Sequence, residues 1–412
     1  MTDLSVSVVV VSRGRPDALR RCLLGLSQLQ YSQFEVVVVA DPAGIAVAEA
    51  LAFADALKLI PFDKANISAA RNLGIDHGAG EVIAFIDDDA VPEPQWLRYL
   101  VAPALQRDVA AMGGFVRGRN GISFQWKARS LDGSGLSEPL EVDDSQATVL
   151  HPPKGRAVKT EGTNMAFRRS VLVELGGFDP AFHYYLDETD LNMRLARAGH
   201  ATALVPLAEV HHGFAANALR TAERVPRDLF DIGASWAVFQ RKHIPEAEHA
   251  PHWEARRHHE RQRLLRHMVT GGLEPRDVRR LMKRLDQGYV EGQDRVLTAA
   301  KLASHPSAPF KAFPAQMRHS TIILSRPSHF SKDMENAADR VKKGEIVTVL
   351  SLSPSAIYHK VFFNEYGVWV QTGGMFGRSD RSAPLFRLTT RSRRGQKEAR
   401  RVARQRGLRQ DK

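Results

Sequence analysis

Short apolar runs alternate with helical repeats in the first half of the chain. Val6–Val11 and Phe34–Ala40 have the length and composition of strands that are buried on both faces. Leu19, Leu23 and Leu26 follow the first run at helical spacing. This succession of strand and helix predicts right-handed βαβ units and therefore an α/β fold built on a mostly parallel sheet with flanking helices.

The stretch Glu81–Asp89 is a further strand of this kind, and it ends in the three carboxylates of Asp87, Asp88 and Asp89. Like charges this close repel one another unless a cation lies among them, and ligands of open α/β sheets bind at the carboxyl ends of the strands. A divalent metal with a phosphate as a further ligand fits this position. A capped turn is the structural alternative, because Pro92 and a helical pattern follow.

Three later stretches complete the predicted first domain. Ala201–Pro206 has the composition of a final strand, residues 117–153 are irregular, and Ala216–Lys242 is compatible with a helix. After this point Val278, Leu281 and Leu285 keep helical spacing among many Arg and His residues, which predicts a helical extension.

The last part of the chain changes character at a proline-rich stretch. Thr321–Leu324 and Ile346–Leu350 are strand-like, and Val361–Gln371 reads as a hairpin around Glu365-Tyr366-Gly367. We therefore predict five segments: an α/β domain over 1–243, a helical extension over 244–303, a Pro-rich linker over 304–315, a small α/β module over 316–388, and a basic tail over 389–412.

Composition excludes some classes of protein. The 412 residues are 43% hydrophobic and 25% charged, as in soluble globular proteins, and no apolar run approaches the roughly 18–20 residues of a membrane span. The only cysteine, Cys22, rules out an intrachain disulfide and is compatible with the cytoplasm. Of the net charge of +12, a net +8 lies between Arg391 and Lys412, with ten Lys or Arg against two acids. This charge predicts a tail that is disordered, or helical on contact with a partner, and makes an anionic membrane surface its candidate partner.

A set of motifs in a fixed order resembles a known family. The motifs are SVVVVSRGRPDAL (7–19), Asp41, SAARNLGI (68–75), FIDDD (85–89), GTNMAFRR (162–169), GGFDP (176–180), DETDLNMRL (187–195) and the pair His211-His212. Together they resemble the family 2 glycosyltransferases of the GT-A fold, over roughly residues 5 to 240. The resemblance implies a Rossmann-like catalytic domain that transfers a sugar from a nucleotide-sugar.

The resemblance also implies roles for individual residues. Mn²⁺ or Mg²⁺ would be held against the donor diphosphate by the Asp-x-Asp positions and by a histidine after the last strand. These metal-ligand positions are Asp87, Asp89, His211 and His212. The positions implied in binding the nucleotide-sugar are Ser12, Arg13, Asp41, Arg71, Asp87 and Asp88, of which Asp41 matches the residue that contacts the nucleobase.

In inverting members of the family, an acid of a Glu-Asp pair is the catalytic base. Here the pair is reversed, as Asp187-Glu188, so the base is either Glu188, which aligns by position, or Asp187. The implied reaction is inverting transfer from a donor of the UDP or dTDP type to a hydroxyl of a glycan or lipid-linked acceptor. The expected location is the cytoplasm, at the inner face of the membrane.

Two other functions are compatible with an acidic strand end. A nucleotidyltransferase is disfavoured because the N-terminal strand is not followed by a Gly-rich loop with a lysine, and a P-loop ATPase lacks its GxxxxGK[ST] motif. A non-catalytic binding protein on an inactive transferase scaffold remains an alternative. Specific nucleic-acid binding is not expected, because the basic residues are not interleaved with aromatic ones.

Overall fold

Strands and helices alternate through the first half of the chain in a computed structural model, which describes residues 3–213, 215, 218–298 and 301–408. The strands are β1 (Val6–Ser12), β2 (Phe34–Ala40), β3 (Leu57–Pro61), β4 (Val82–Asp87), β5 (Ala90–Pro92), β6 (Val109–Arg117), β7 (Phe124–Trp126), β8 (Arg129–Leu131), β9 (Ser137–Pro139), β10 (Thr148–Leu150), β11 (Ala157–Lys159), β12 (Asn164–Arg168), β13 (Ala201–His212), β14 (Ser320–Ser325), β15 (Ile346–Ser353), β16 (Lys360–Phe363) and β17 (Trp369–Gly374). The helices are α1 (Pro16–Leu26), α2 (Pro42–Glu49), α3 (Ile67–His77), α4 (Trp96–Val101), α5 (Arg169–Leu175), α6 (Asp187–Arg197), α7 (Phe230–His243), α8 (His249–Val269), α9 (Pro275–Asp294), α10 (Phe330–Lys342) and α11 (Arg391–Arg406).

The main sheet is parallel through its N-terminal strands and mixed beyond them. Its order is β10-β13-β6-β12-β4-β1-β2-β3, and β1 pairs in parallel with both β2 and β4. The strand β12 inserts antiparallel between β4 and β6, whereas β13 is parallel to β6. The predicted α/β class with a parallel-rich sheet is therefore confirmed.

Successive side chains of the central strands point to opposite faces of this sheet, and they are apolar on both faces. Val8 and Val10 belong to one core with residues of α1 and α4, and Val9 belongs to the opposite core with residues of α3, α5 and α6. All three valines are buried. A strand covered on both faces needs a continuous apolar run, which is why β1 and β2 are so rich in valine.

The helix α3 packs unusually close to β1 because of Gly74. A Cβ atom at this position would lie 2.4 Å from Val9 Cγ1, so a larger residue would push the helix away from the sheet. The same helix begins at its N-cap Asn66, whose side chain accepts a hydrogen bond from Ala69 N. The close packing brings Arg71, on the buried face of α3, beneath the carboxyl ends of the strands.

The predicted helical extension is confirmed by α8 and α9, which pack against α7 at the end of the first domain. Gly288 lies so close to α7 that a Cβ atom there would come 1.8 Å from Phe230 O, and Trp253 of α8 stacks on Tyr289 of α9 at 3.8 Å. The predicted helix Ala216–Lys242 begins only at Phe230; residues 218–229 form turns, and 216 and 217 lie outside the described residues.

The C-terminal module forms its own sheet, in the order β14-β15-β17-β16, with the predicted hairpin as antiparallel β16 and β17. The basic tail is not disordered over Arg391–Arg406, which form α11, the helical alternative of the prediction; residues 409–412 lie outside the described part of the chain. The predicted segment boundaries at 243, 303, 315 and 388 stay predictions. Among the described helices, none has the length and hydropathy needed to cross a bilayer.

Candidate functional site

The three aspartates at the end of β4 direct their carboxylates to different partners. Asp88 is completely buried and accepts hydrogen bonds from Ser12 Oγ at 2.6 Å and from Arg15 Nε at 3.1 Å. Asp89 accepts a hydrogen bond from Ala215 N at 2.8 Å and lies 3.2 Å from Arg15 Nη1. Arg15 thus partly relieves the repulsion between the carboxylates that the sequence predicts. No pattern in the sequence indicates this role for Arg15.

The histidine pair is brought to this strand end by an extension of β13. The predicted strand ended at Pro206, but a register shift between Val205 and Glu209 lets β13 continue to His212, which pairs opposite Ala90 of β5. Neighbouring residues of a strand face opposite sides of a sheet. His212 therefore lies beside the aspartates, whereas His211 turns away from them.

His211 was predicted as a metal ligand, and its position contradicts that role. Its Nε2 lies 2.8 Å from Glu93 Oε1, and its ring contacts Trp369 at 5.0 Å between centroids. Burial lowers the pKa of His211, which favours the neutral ring. The hydrogen bond to Glu93 then places the proton on Nε2.

Asp87, Asp89 and His212 form a cluster whose ligand atoms all lie within 4.8 Å of one another. Two carboxylates and one imidazole are a donor set that Mn²⁺ or Mg²⁺ accepts. Neighbouring side chains orient these ligand atoms as metal binding requires. His212 Nε2 faces Asp89 Oδ1 at 3.1 Å, and Nδ1 lies 2.9 Å from Gln125 Oε1, an acceptor that would keep a proton on Nδ1 when a metal takes the place of the proton on Nε2. Thr163 Oγ1 orients Asp87 through a hydrogen bond of 2.6 Å.

The charge state of Asp89 suits metal binding as well. Burial alone would raise the pKa of this carboxyl group, but the hydrogen bond to His212 and the charge of Arg15 outweigh it. They hold the pKa of Asp89 well below its usual range, so the group is ionised at neutral pH.

Arg71 connects the acidic strand end to the predicted catalytic pair. Its guanidinium lies 3.7 Å from Asp87 Oδ1 and forms a short ion pair with Asp187. It is buried and lies over the rings of Phe85 and Phe178. One planar cation with several donors therefore fixes the two acidic groups in a single cleft.

Asp187 and Glu188 begin α6 after a strained turn. Tyr185 and Leu186 have φ values of 72° and 66°, in the left-handed region that residues other than glycine rarely adopt. Each such residue costs on the order of 1–3 kcal/mol and persists where its surroundings hold it. Here Leu186 is buried in a core, and Ser235 Oγ donates to Tyr184 O at 2.7 Å.

The two acids of the pair differ in exposure and in partner. The side chain of Asp187 is 3% exposed and is occupied by Arg71, whereas that of Glu188 is 14% exposed and lies 3.0 Å from Lys159 Nζ. Burial would raise the pKa of Glu188, but Lys159 and Arg71 favour the carboxylate more strongly and lower the pKa overall. Glu188 is thus an ionised carboxylate at the edge of the cleft.

The other predicted donor-binding residues lie near the cleft with contacts of their own. Asp41 caps α2 and accepts hydrogen bonds from Gly14 N at 2.8 Å and Gly44 N at 3.0 Å. Arg13 forms an exposed ion pair of 2.9 Å with Asp63. Neither contact tests a role in donor binding, so these roles stay predictions. Asp41 does hold the loop after β1 against the loop after β2.

Comparisons with known proteins cover about the same part of the chain. A family model described as "Glycosyltransferase like family 2" matches residues 4–228. The O-antigen biosynthesis protein RfbC of Myxococcus xanthus is 27% identical over 255 residues, which are 57% of this chain and 19% of that protein. The pre-mycofactocin glycosyltransferase of Mycobacterium tuberculosis is 27% identical over 216 residues, which are 50% of this chain and 42% of that protein.

Both relatives are therefore spanned by this chain over less than half of their length. Among solved structures, the mannosyltransferase PcManGT of Pyrobaculum calidifontis, in complex with GDP-Man and Mn²⁺, aligns with a TM-score of 0.41 and 17% identity over 72% of this chain and 89% of its own. The family model extends over more than half of the chain and includes the whole acidic cluster. The chain belongs to the glycosyltransferase-like family 2.

Proposed function

We propose that this protein is a metal-dependent, inverting glycosyltransferase that moves a sugar from a nucleotide-sugar to a hydroxyl group of a glycan or lipid-linked acceptor. One observation carries the proposal: Arg71 contacts both Asp87 and Asp187, so the candidate metal cluster and the acidic pair belong to one cleft. Family membership supports the reaction class, and the name of the RfbC relative supports a saccharide acceptor. The proposal includes a cytoplasmic location.

Asp87, Asp89 and His212 would hold Mn²⁺ or Mg²⁺. The bound cation would neutralise the negative charge that develops on a nucleoside diphosphate leaving group. Thr163 and Gln125 orient two of the ligands, and Arg15 limits the repulsion between Asp88 and Asp89. A donor of the UDP or dTDP type would bind beside this cluster, with its base toward the loop that Asp41 holds.

Glu188 is assigned as the general base. It is the more exposed acid of the pair, so an acceptor hydroxyl can reach it; its lowered pKa keeps the carboxylate ionised, although it also makes Glu188 a weaker base than an unpaired Glu. Asp187 is assigned a positioning role, because its carboxylate is taken up by Arg71. Lys159 holds Glu188 in the charged state before the acceptor arrives.

The binding half of the proposal is tested by thermal unfolding with UDP- and dTDP-sugars, with and without Mn²⁺. We expect stabilisation only when metal and donor are both present, of about 2.7 kcal/mol at a ligand concentration 100-fold above Kd. Asp89→Ala should abolish it, because one carboxylate ligand and the partner of His212 are lost together. The exposed Asp55→Ala serves as the matched control and should keep the full effect. Equal stabilisation of Asp89→Ala and Asp55→Ala would rule out this metal site.

A second prediction concerns the pH dependence of donor turnover. The pKa of Glu188 is lowered by Lys159, so activity is lost on the acidic side only as the pH falls through this low value. Lys159→Met removes the attraction and raises the pKa of Glu188, so the acidic limb of the pH–rate profile should move to higher pH. Lys127→Met, whose ammonium group pairs with the exposed Asp144, should leave the limb in place. An unshifted limb in Lys159→Met would contradict the assignment of Glu188 as the base.

A further inference from the structure

One end of the C-terminal sheet carries a group of apolar side chains that are exposed to solvent. Each is more than half exposed. We call this group the apolar patch; it consists of Ile357, Tyr358, Leu385, Phe386 and Leu388.

The members of the apolar patch are neighbours in space, because their backbone segments are hydrogen-bonded to one another. Gly374 N donates to Ile357 O at 2.8 Å, and Arg387 N donates to Phe376 O at 3.1 Å. The ring of Phe376 in turn lies 5.3 Å from that of Phe386. The segments 355–358, 374–378 and 385–388 therefore form one surface, which begins where β15 and β17 end.

The charge around the apolar patch is strongly positive. Between Phe376 and Arg393 there are five arginines and one acid, Asp380. Arg378 lies over the ring of Tyr358 at 5.0 Å and donates to its hydroxyl group at 2.9 Å. Exposed apolar side chains with arginines beside them suit the surface of an anionic bilayer, where the apolar groups enter the boundary between headgroups and acyl chains and the arginines meet the headgroups.

We infer that the apolar patch docks this protein onto an anionic membrane surface. The sequence predicted this contact for the basic tail, but α11 buries Arg394, Glu398 and Arg406, and the residues that it exposes are polar or basic, with no apolar side chain that could enter a bilayer. The membrane contact is thus assigned to the loop that precedes α11. Leucine side chains at the centre of the patch favour a lipid surface over a nucleic acid, since bases stack on aromatic rings rather than on leucine.

The apolar patch is connected to the cleft by a groove, so docking through the patch would bring the cleft close to the membrane. Ser379–Ser382, just before Leu385, line one side of a groove of about 580 Å³, and Trp126–Arg129 line the other. The ring of Trp126 lies 5.1 Å from Nζ of Lys159, the partner of Glu188. Docking through the patch would hold this groove at the membrane, where a lipid-linked acceptor is found. This last consequence rests on the proposed function, whereas the docking itself does not.

Co-sedimentation with lipid vesicles, without donor or metal, tests the inference directly. We expect the full chain to bind vesicles of phosphatidylcholine with 30% phosphatidylglycerol, and to bind pure phosphatidylcholine far more weakly. Leu385→Ser/Leu388→Ser should lower the partition coefficient by about tenfold, because two aliphatic side chains no longer enter the bilayer. Arg381→Gln/Arg387→Gln should lower it to a similar extent through lost attraction to anionic headgroups.

The matched control is Val269→Ser/Val290→Ser, which removes two exposed aliphatic side chains from α8 and α9 and should bind vesicles like the unmodified chain. Unchanged thermal unfolding of each variant shows that its fold is retained. The inference is overturned if the unmodified chain does not bind anionic vesicles. It is also overturned if Leu385→Ser/Leu388→Ser binds them as well as Val269→Ser/Val290→Ser does. Since no donor is present, either result would leave the glycosyltransferase proposal intact.

Discussion

Replacing Glu188 with Gln is expected to slow sugar transfer by about 10²- to 10⁴-fold while leaving donor binding unchanged. The size of the loss is that of a general base removed from a positioned site. Gln has nearly the same shape as Glu but cannot accept the acceptor proton. The nucleotide-sugar would bind at the other end of Arg71, near Asp87 and Asp89, so its Mn²⁺-dependent thermal stabilisation should persist. Release of nucleoside diphosphate from the donor, measured with Mn²⁺ present, reports the rate.

Two further variants make this measurement decisive. Asp187→Asn should disturb Arg71 and therefore weaken donor binding along with the rate, because this carboxylate is the ion-pair partner of the guanidinium. Glu161→Gln removes another acid within 3.8 Å of Lys159 and should change the rate less than tenfold. If instead Asp187→Asn loses only the rate and Glu188→Gln loses nothing, then Asp187 is the base. Release of nucleoside monophosphate would point to a nucleotidyltransferase.

The parts of the cleft that the sequence predicted are those that depend on local pattern. The apolar run that ends in Asp87–Asp89 predicts both a buried strand and a charged strand end. Consecutive residues carry both signals, so no long-range contact is needed to infer them. Asp187 and Glu188, by contrast, were assigned through the family resemblance; in the structure they form the first turn of α6. Pairing of β1, β2 and β4 then brings the loops after these strands to one edge.

The different positions of the two histidines were not predicted, because the last strand of the sheet is longer than its apolar pattern indicates. The predicted strand ended at Pro206, a residue that cannot donate a hydrogen bond to a sheet. In the structure the register shift after Val205 accommodates this proline, and β13 runs on to His212. With the longer strand, alternation of faces would have separated His212 from His211 without any coordinates.

Three residues of the cleft received no predicted role, because no local pattern indicates the contacts that they make. Gln125 and Lys159 come from the stretch of short strands between β6 and β12, where polar residues are frequent and periodicity is weak. Thr163 is a single hydroxyl group in a loop. Each acquires its role only through a contact with a distant residue, with His212, Glu188 and Asp87 respectively.

The buried face of the helix in the basic tail could not be predicted for a different physical reason. The basic tail has the mean charge of a disordered segment. Hydrophobic periodicity cannot reveal a helix face that is buried through charged residues. Every fourth residue from Arg394 to Arg406 is nevertheless buried, and the charged ones are paired. Arg394 and Glu398 lie 3.1 Å apart, and Glu398 also accepts hydrogen bonds from Ser379 and Gln371. The helical signal was therefore carried by charged residues at a spacing of four.

The last residue of this series joins the C-terminal module to the catalytic half of the chain. Arg406 donates two hydrogen bonds to Glu93, at 2.9 and 3.0 Å, and a third to Thr348 at 2.9 Å. Its guanidinium also lies 4.3 Å from the ring of Trp369. Burial would raise the pKa of Glu93, but Arg406 and then His211 outweigh it and lower the pKa well below its usual range. A charged pair is thus buried behind the strand that carries His212.

Arg406→Ala is expected to lower the free energy of unfolding by about 3–5 kcal/mol, because it leaves the Glu93 carboxylate buried without its counter-ion. Urea unfolding, followed by tryptophan fluorescence, measures this loss. The control Arg404→Ala removes an exposed arginine from the same helix and should change stability by no more than about 0.5 kcal/mol. Adding Glu93→Gln to Arg406→Ala should restore part of the loss, since a neutral amide is cheaper to bury than an unpaired charge. Equal stability of Arg406→Ala and Arg404→Ala would mean that the module is not held to the catalytic half through this ion pair.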